Sequence, residues 1–194
     1  MQQQNVSDND LITGYLQGKE TCLQTLIGRH KAKIFTSILI LVKRRALAED
    51  LFQETFIRII KTLREGKYHE EGKFLGWAIR VAHNITIDYF RVENRMKMVR
   101  DTDEYCIMDT IKILEDNAED KMVKERIYGQ VRLLIEELPF ELREVLIMRY
   151  YGEMSFKDIA ECTNVCINTA LGRMRYALQH MRKLIKNKHL DLAV

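Results

Sequence analysis

The sequence contains a single proline, Pro139, and only nine glycines among its 194 residues. A chain so poor in turn-forming residues does not suit a turn-rich all-β fold, and we expect helices instead. No segment approaches the roughly 20 consecutive apolar residues that a transmembrane helix needs. The most apolar stretch, residues 34–42, is interrupted by Thr36 and Ser37. We therefore predict a buried helix there.

The sequence also lacks the marks of secretion, of metal binding and of catalysis. Its first residues are polar and carry no apolar core of a signal peptide, so we expect a cytoplasmic protein without direct membrane insertion. The four cysteines form no paired CxxC set, and the five histidines complete no zinc pattern. We find no nucleophile–base set and no phosphate-binding loop. The expectation is a protein that is not an enzyme and holds no metal or cofactor.

Charge divides the chain into three blocks. Residues 1–97 carry 16 basic and 11 acidic residues, residues 98–125 carry 4 and 9, and residues 126–194 carry 11 and 8. Apolar periodicity weakens in the middle block, apart from one short helix expected around residues 111–114. We predict an all-α chain of two small helical domains, 1–97 and 126–194, joined by an acidic linker over 98–125.

The last block has the pattern of a helix-turn-helix. A short helix ends at a turn at Thr163 and Asn164, and a basic helix begins near residue 167. No acidic residue occurs between 162 and 190, where six Arg and Lys residues fall, and such a one-signed field attracts polyanions. The small polar residues Asn168 and Thr169 would enter the major groove first. Arg173 and Arg175 would follow and contact guanine edges or phosphates. The alternative is a plain three-helix bundle with a basic surface.

Two helices of the first block carry unusual outer faces. Opposite an apolar stripe between residues 51 and 63 lie Asp50, Gln53, Glu54 and Ile57, a face that suits either solvent or a basic partner helix. Between Phe74 and Arg95, a stripe on one side of the helix combines an aromatic ring, an amide and several cations, as single-stranded nucleic acid requires. The stripe consists of Trp77, Arg80, Asn84, Arg91 and Arg95, together with Asp88, which we expect to pair with Arg91. The alternative is a core tryptophan beside surface arginines.

Three segments, taken in order, resemble bacterial sigma factors of the extracytoplasmic-function (ECF) group in the sigma-70 family. AEDLFQETFIRI (48–59) resembles the polymerase-docking helix, and FLGWAIRVAHNITIDYFR (74–91) resembles the helix that melts and reads the minus-ten element. Residues 138–178 resemble the fourth region, which reads the minus-thirty-five element. The resemblance implies a region 2-like domain over 1–97 and a region 4-like domain over 126–194.

The resemblance also implies roles for particular residues. Asp50, Gln53 and Glu54 match polymerase-contacting positions, and Trp77 and Asn84 match positions beside the opened strand. The loop over residues 65–73 corresponds to one that captures a flipped base. In the recognition helix, the DNA-facing positions correspond to Leu171, Gly172, Arg175 and Tyr176. Cys166 stands where a capping serine is common, so we expect a weaker helix start there.

The function that follows is that of a transcription initiation factor, whose partners are core RNA polymerase and promoter DNA. The resemblance also implies an anti-sigma factor, which in many relatives is membrane-anchored. Two other functions remain open from the sequence: a stand-alone helix-turn-helix regulator that binds duplex DNA without polymerase, and a helical adaptor that binds no DNA. A further hypothesis is that the acidic linker lies against the basic helices and suppresses DNA binding.

Overall fold

The computed structural model describes residues 6–69, 72–97 and 129–188, with the side chains of 94–97 left aside. The acidic linker and the short helix expected around 111–114 lie outside these residues. The described chain folds into eight helices without a strand, as predicted. They are α1 (Asp8–Leu16), α2 (Glu20–Val42), α3 (Arg45–Arg64), α4 (Phe74–Lys97), α5 (129–136), α6 (Phe140–Tyr150), α7 (Phe156–Cys162) and α8 (Ile167–Asn187).

Helices α1 to α4 form the first domain around α2, which packs against the other three. The apolar stretch over residues 34–42 forms the last part of α2, and Ile34, Ile38 and Ile40 are fully buried. The predicted buried helix is confirmed. The apolar stripe of α3 faces the same core through Leu51, Phe56, Ile59 and other residues, and this arrangement leaves the opposite side of α3 facing outward.

Two helices begin with the same reciprocal cap. The Oγ atoms of Ser7 and Ser155 each accept a hydrogen bond from the backbone N–H three residues later, at 3.2 Å in both cases. The carboxylates of Asp10 and Asp158 in turn accept hydrogen bonds from the backbone N–H groups of the two serines. These capping boxes satisfy backbone donors that the first turn leaves free. Helix α8 starts differently, because the side chain of Cys166 makes no capping hydrogen bond.

Helices α6, α7 and α8 form the predicted helix-turn-helix domain around a small core that includes Val145, Ile159 and Ala170. Asn164 takes the left-handed conformation expected at its turn, with φ of 54°. After α6, Glu153 also has a left-handed conformation, with φ of 54°. The preceding residue, Gly152, leaves no room for a side chain, since a Cβ atom there would lie 2.7 Å from the carbonyl oxygen of Met148.

The second domain packs directly against the first. Helix α6 contacts both α2 and α4. One continuous apolar core contains Ile135, Leu138 and Ile147 of the second domain together with residues of α2, α3 and α4. This packing places the helix-turn-helix beside α4, the helix that carries the predicted nucleic-acid stripe.

Candidate nucleic-acid and partner interfaces

The outer face of α3 combines three polar residues with one large apolar residue. Asp50, Gln53, Glu54 and Ile57 are all exposed, and their spacing of three and four residues places them on one side of the helix. The side chain of Ile57 is 67% exposed, which is high for a large aliphatic residue beside a well-filled core. An exposed apolar residue one turn after carboxylates and an amide is a suitable contact for a helix that carries basic and apolar residues.

The stripe on α4 is part core and part surface. Trp77 is half-buried, and its ring lies 4.8 Å from that of Tyr68 and 5.9 Å from that of Phe74. Trp77 therefore packs against the core and still keeps part of its surface exposed. Asn84 and Arg91 are exposed and Arg80 is half-buried.

The other two predictions for that stripe concern the ion pair of Asp88 and the side chain of Arg95. The expected ion pair of Asp88 with Arg91 is confirmed, with 3.2 Å between carboxylate and guanidinium. Both side chains are well exposed, so the pair adds little stability and leaves Arg91 able to exchange partners. The side chain of Arg95 lies outside the described residues.

The loop before α4 brings a second aromatic ring to Trp77. Residues 70 and 71 lie outside the described part, but Tyr68 and Gly72 frame the loop on either side. Gly72 has φ of 73°, and its N–H donates to the side-chain carbonyl of Asn9 at 3.1 Å. The loop is thus tied to α1 at one end and to Trp77 at the other.

The outer face of α8 is open along its first three turns. Of the residues predicted to contact DNA in this helix, Gly172 and Arg173 are half-buried and the others are exposed, namely Asn168, Thr169, Leu171, Arg175 and Tyr176. The ring of Tyr176 is 63% exposed. Ala170, Met174 and Ala177 point to the core instead, so the two faces are cleanly separated.

Arg173 lies apart from that outer face. Its Nη1 donates to Oε1 of Glu144 on α6 at 2.8 Å, and the other carboxylate oxygen of Glu144 lies 3.0 Å from Nε2 of His83 on α4. The side chains of Glu144 and His83 are 7% and 5% exposed. Neither residue was predicted as a functional residue from the sequence. The signal in the sequence was a charged residue, Glu144, immediately before the apolar run 145–148.

The surroundings of His83 keep its imidazole charged. Burial alone would lower the pKa of His83, but hydrogen bonds with the Cys162 thiol and the Glu144 carboxylate outweigh burial and raise that pKa to about 9. Sγ of Cys162 lies 3.7 Å from Nδ1 of the ring. The cluster therefore holds a carboxylate between two cations, His83 and Arg173.

Two general features complete the surface. Among the described residues, no group of three or more His, Cys, Asp and Glu side chains is arranged to hold a metal ion. No described helix is long and apolar enough to cross a membrane.

Family models and known proteins match both domains. The model described as Sigma-70 region 2 matches residues 26–96, and the model described as Sigma-70, region 4 matches residues 128–182. The chain belongs to the sigma-70 family, as an ECF sigma factor. It is therefore a transcription initiation factor that acts with core RNA polymerase at promoters, and the stand-alone regulator is set aside.

Individual relatives match most of this sigma factor's length. The ECF RNA polymerase sigma-E factor of Haemophilus influenzae is 24% identical, over 95% of this chain and 96% of that protein. The ECF RNA polymerase sigma factor SigE of Mycolicibacterium smegmatis is 25% identical over 87% of this chain, which spans 63% of that relative. The sigma factor RpoE from Bartonella quintana, solved in complex with the anti-sigma factor NepR, has a similar fold. Its TM-score is 0.66 at 16% identity, covering 84% of this chain and 96% of that one.

Proposed function

We propose that this sigma factor binds core RNA polymerase through the outer face of α3. Asp50, Gln53 and Glu54 would meet basic residues of the polymerase, and Ile57 would fill an apolar site beside them. The observation that carries this proposal is the exposure of all four residues on one side of a helix whose other side is fully used by the core. Charges next to an apolar residue give both orientation and affinity to such a contact.

Helix α4 would bind the opened minus-ten element. The half-buried ring of Trp77 would stack against an unpaired base, and the exposed Asn84 would offer an amide to a base edge. Arg80, Arg91 and Arg95 would contact the phosphates of the same strand. Unpaired bases cost a few kcal/mol to extract, and these contacts would offset that cost.

Helix α8 would read the minus-thirty-five element in the major groove. Its exposed face offers Asn168, Thr169, Leu171, Arg175 and Tyr176, with Gly172 allowing close approach of the helix. Arg173 would act as a positioning residue, because its guanidinium joins α8 to α6 through Glu144.

The wider context of the protein is part of the same proposal. The domains would extend over 1–97 and 126–194, with the acidic linker over 98–125 between them. The protein would act in the cytoplasm, where its polymerase and DNA partners are found. It would act by binding alone and not as an enzyme. An anti-sigma factor is a further partner, as the Bartonella quintana relative has one in its solved complex.

Binding to purified core polymerase and run-off transcription test the proposal together. The double variant D50N/E54Q should weaken the association with core polymerase about tenfold, equivalent to about 1.4 kcal/mol. The control is Glu20→Gln, which neutralises one exposed carboxylate at the start of α2. Equal binding by the double variant and the control would refute the assigned surface. A chain that binds no core polymerase and leaves no DNA footprint would be the helical adaptor.

A further inference from the structure

A cluster of four polar side chains lies where the second domain docks against α4, and the proposed function uses only one of them, Arg173. His83 comes from α4, Glu144 from α6, Cys162 from the end of α7 and Arg173 from α8. Nδ1 of His83 lies 3.7 Å from Sγ of Cys162, and Nε2 lies 3.0 Å from Oε2 of Glu144. The cluster is therefore a chain of contacts from a thiol to an imidazole and from the imidazole to a carboxylate.

This order of groups is the one that activates a cysteine as a nucleophile. A thiol reacts as its thiolate, and a cationic imidazole beside the sulfur favours that form. In nucleophilic catalysis the imidazole is in turn oriented by a third group. Here that group is the carboxylate of Glu144, which accepts a hydrogen bond from Arg173 at 2.8 Å. Glu144 and Arg173 act through His83 and are positioning residues.

The imidazole of His83 carries a positive charge at neutral pH. Burial lowers its pKa, but the hydrogen bond with Cys162 is the largest of the contacts that oppose burial, and together with Glu144 it raises that pKa to about 9. The side chain of His83 is 5% exposed, so water screens its charge little. A cation therefore stays beside the sulfur through the physiological pH range.

The partial exposure of Cys162 limits the size of the molecules that can reach its sulfur. Cys162 is half-buried and packs against the small core of the second domain, which includes Val145 and Ile159. Such a position admits an oxidant of two heavy atoms more readily than a bulky electrophile. Hydrogen peroxide has that size, and its O–O bond is cleaved by a thiolate.

The other described cysteines lack this arrangement. Cys22 is also half-buried, but its sulfur packs against Gly14, and its thiol makes no hydrogen bond with any described residue. Cys166 is exposed, and a hydrogen bond with the Thr169 hydroxyl lowers the pKa of its thiol. That partner is a neutral hydroxyl at 3.1 Å and carries no positive charge. The two cysteines therefore serve as comparisons within the same molecule.

We propose that Cys162 is a modification site for hydroperoxides, with His83 as the residue that activates its sulfur. The thiolate sulfur attacks one oxygen of hydrogen peroxide, so that an S–O bond forms while the O–O bond breaks. The sulfur loses two electrons and becomes a sulfenic acid, and the departing hydroxide takes the Nδ1 proton of His83 and leaves as water. The reaction consumes the thiol and is not catalytic turnover.

The product carries its new oxygen at the last residue of α7, directly before the turn of the helix-turn-helix. The inference goes beyond the proposed function, and it does not depend on the proposed polymerase and DNA contacts.

The test treats the full chain with hydrogen peroxide and traps sulfenic acid with dimedone. Mass spectrometry then gives the labelling rate at each cysteine of the same molecule. In the wild type at neutral pH, Cys162 should be labelled at least about tenfold faster than Cys22, which is also half-buried but has no cation beside its sulfur. Equal labelling of the two cysteines would overturn the proposal.

The variant His83→Gln removes the imidazole charge and nearly keeps the side-chain size. Labelling of Cys162 should fall at least about fivefold, while Cys22 and Cys166 keep their wild-type rates within about twofold. Unchanged labelling of Cys162 in this variant would refute the role of His83. Faster labelling of Cys22 would mean that the variant unfolds, and the pH dependence of the wild type then decides.

That pH dependence follows from the groups that face the imidazole. They are Glu144 of α6 and Cys162 of α7, with Arg173 of α8 behind the carboxylate. Between about pH 7 and about pH 10 an ordinary thiol gains thiolate, whereas Cys162 loses its cationic partner. The ratio of Cys162 to Cys22 labelling should therefore fall at least about threefold over that interval. A constant ratio would show that Cys162 reacts as an ordinary thiol and would overturn the proposal.

Discussion

Glu144 holds its carboxylate between two cationic side chains that come from different helices. One oxygen accepts from Arg173 at 2.8 Å, and the other lies 3.0 Å from His83. Taking an unpaired carboxylate out of water is expensive, and removal of one partner of a buried ion pair typically costs about 3–5 kcal/mol. The arginine pair stays within the second domain, whereas the histidine pair exists only while the domains are docked.

A substitution at Cys166 measures how much stability α8 lacks because its N-cap residue makes no side-chain cap. Cys166→Ser should raise the free energy of unfolding by about 1 kcal/mol, because the serine hydroxyl accepts a hydrogen bond from the first turn of α8. Urea denaturation checks this, with Cys166→Ala as the control that adds no acceptor. A serine variant no more stable than the alanine variant would contradict the expectation.

Substitutions of Trp77 and Asn84 should distinguish effects on protein stability from effects on DNA opening. Trp77→Ala should lower the free energy of unfolding by about 2 kcal/mol, because the ring packs against Tyr68 and Phe74. Asn84→Ala should leave thermal unfolding unchanged, since that side chain is exposed. Both should reduce the permanganate reactivity of promoter thymines in the holoenzyme. Full strand opening by the asparagine variant would exclude its proposed contact.

Helix α4 was largely predictable from the sequence. A periodicity of 3.6 residues indicates its limits, its buried side and its exposed stripe, since that pattern depends only on local geometry. The side of α4 that meets the second domain, formed by Gly76, His83 and Phe90, could not be predicted in the same way. It consists of a glycine, a histidine and a phenylalanine, which have no common chemistry until Gly152, Glu144 and other residues distant in the chain meet them.

The two capping boxes form a matched pair for a further prediction. Ser7→Ala and Ser155→Ala remove the same hydrogen bond, and each should lower the free energy of unfolding by about 1 kcal/mol. Only Ser155→Ala should also weaken binding to minus-thirty-five duplex DNA, because α7 supports α8. Thermal unfolding and fluorescence anisotropy measure the two effects. Equal loss of DNA binding in both variants would point to a global effect.

At the scale of the whole molecule, docking should depend on pH through His83. Its pKa is 6.5 when unperturbed and about 9 in the docked state. Protonated His83 stabilises the folded, docked protein, and this stabilisation is complete below pH 6.5. It is lost as the pH rises towards 9, with a limit of about 3 kcal/mol. The groups that face the imidazole are Glu144 and Cys162, with Arg173 behind the carboxylate.

Thermal unfolding between about pH 6 and about pH 9 checks this expectation. The wild type should lose more stability over that interval than His83→Gln, in which the titrating group is absent. Parallel pH profiles for the two proteins would show that the imidazole is not linked to docking.

The packing of the two domains against each other could not be predicted from the sequence. Features that depend on residues close in the chain could be predicted, namely the helix-turn-helix, its Asn164 turn and the outer face of α3. The acidic composition of residues 98–125 led to the hypothesis that the linker suppresses DNA binding. That hypothesis concerns residues outside the described part. The contacts between α4 and the second domain join folded surfaces that a one-dimensional pattern does not bring together.

The crowding of three surfaces onto α4 has an evolutionary consequence. One side fills the core, one contacts the neighbouring domain and one is proposed to meet unpaired bases, so few of its 24 residues can change without cost. Helix α3 divides its circumference between two roles only. Saturation mutagenesis with a growth readout should therefore find that α4 tolerates fewer replacements per position than α3.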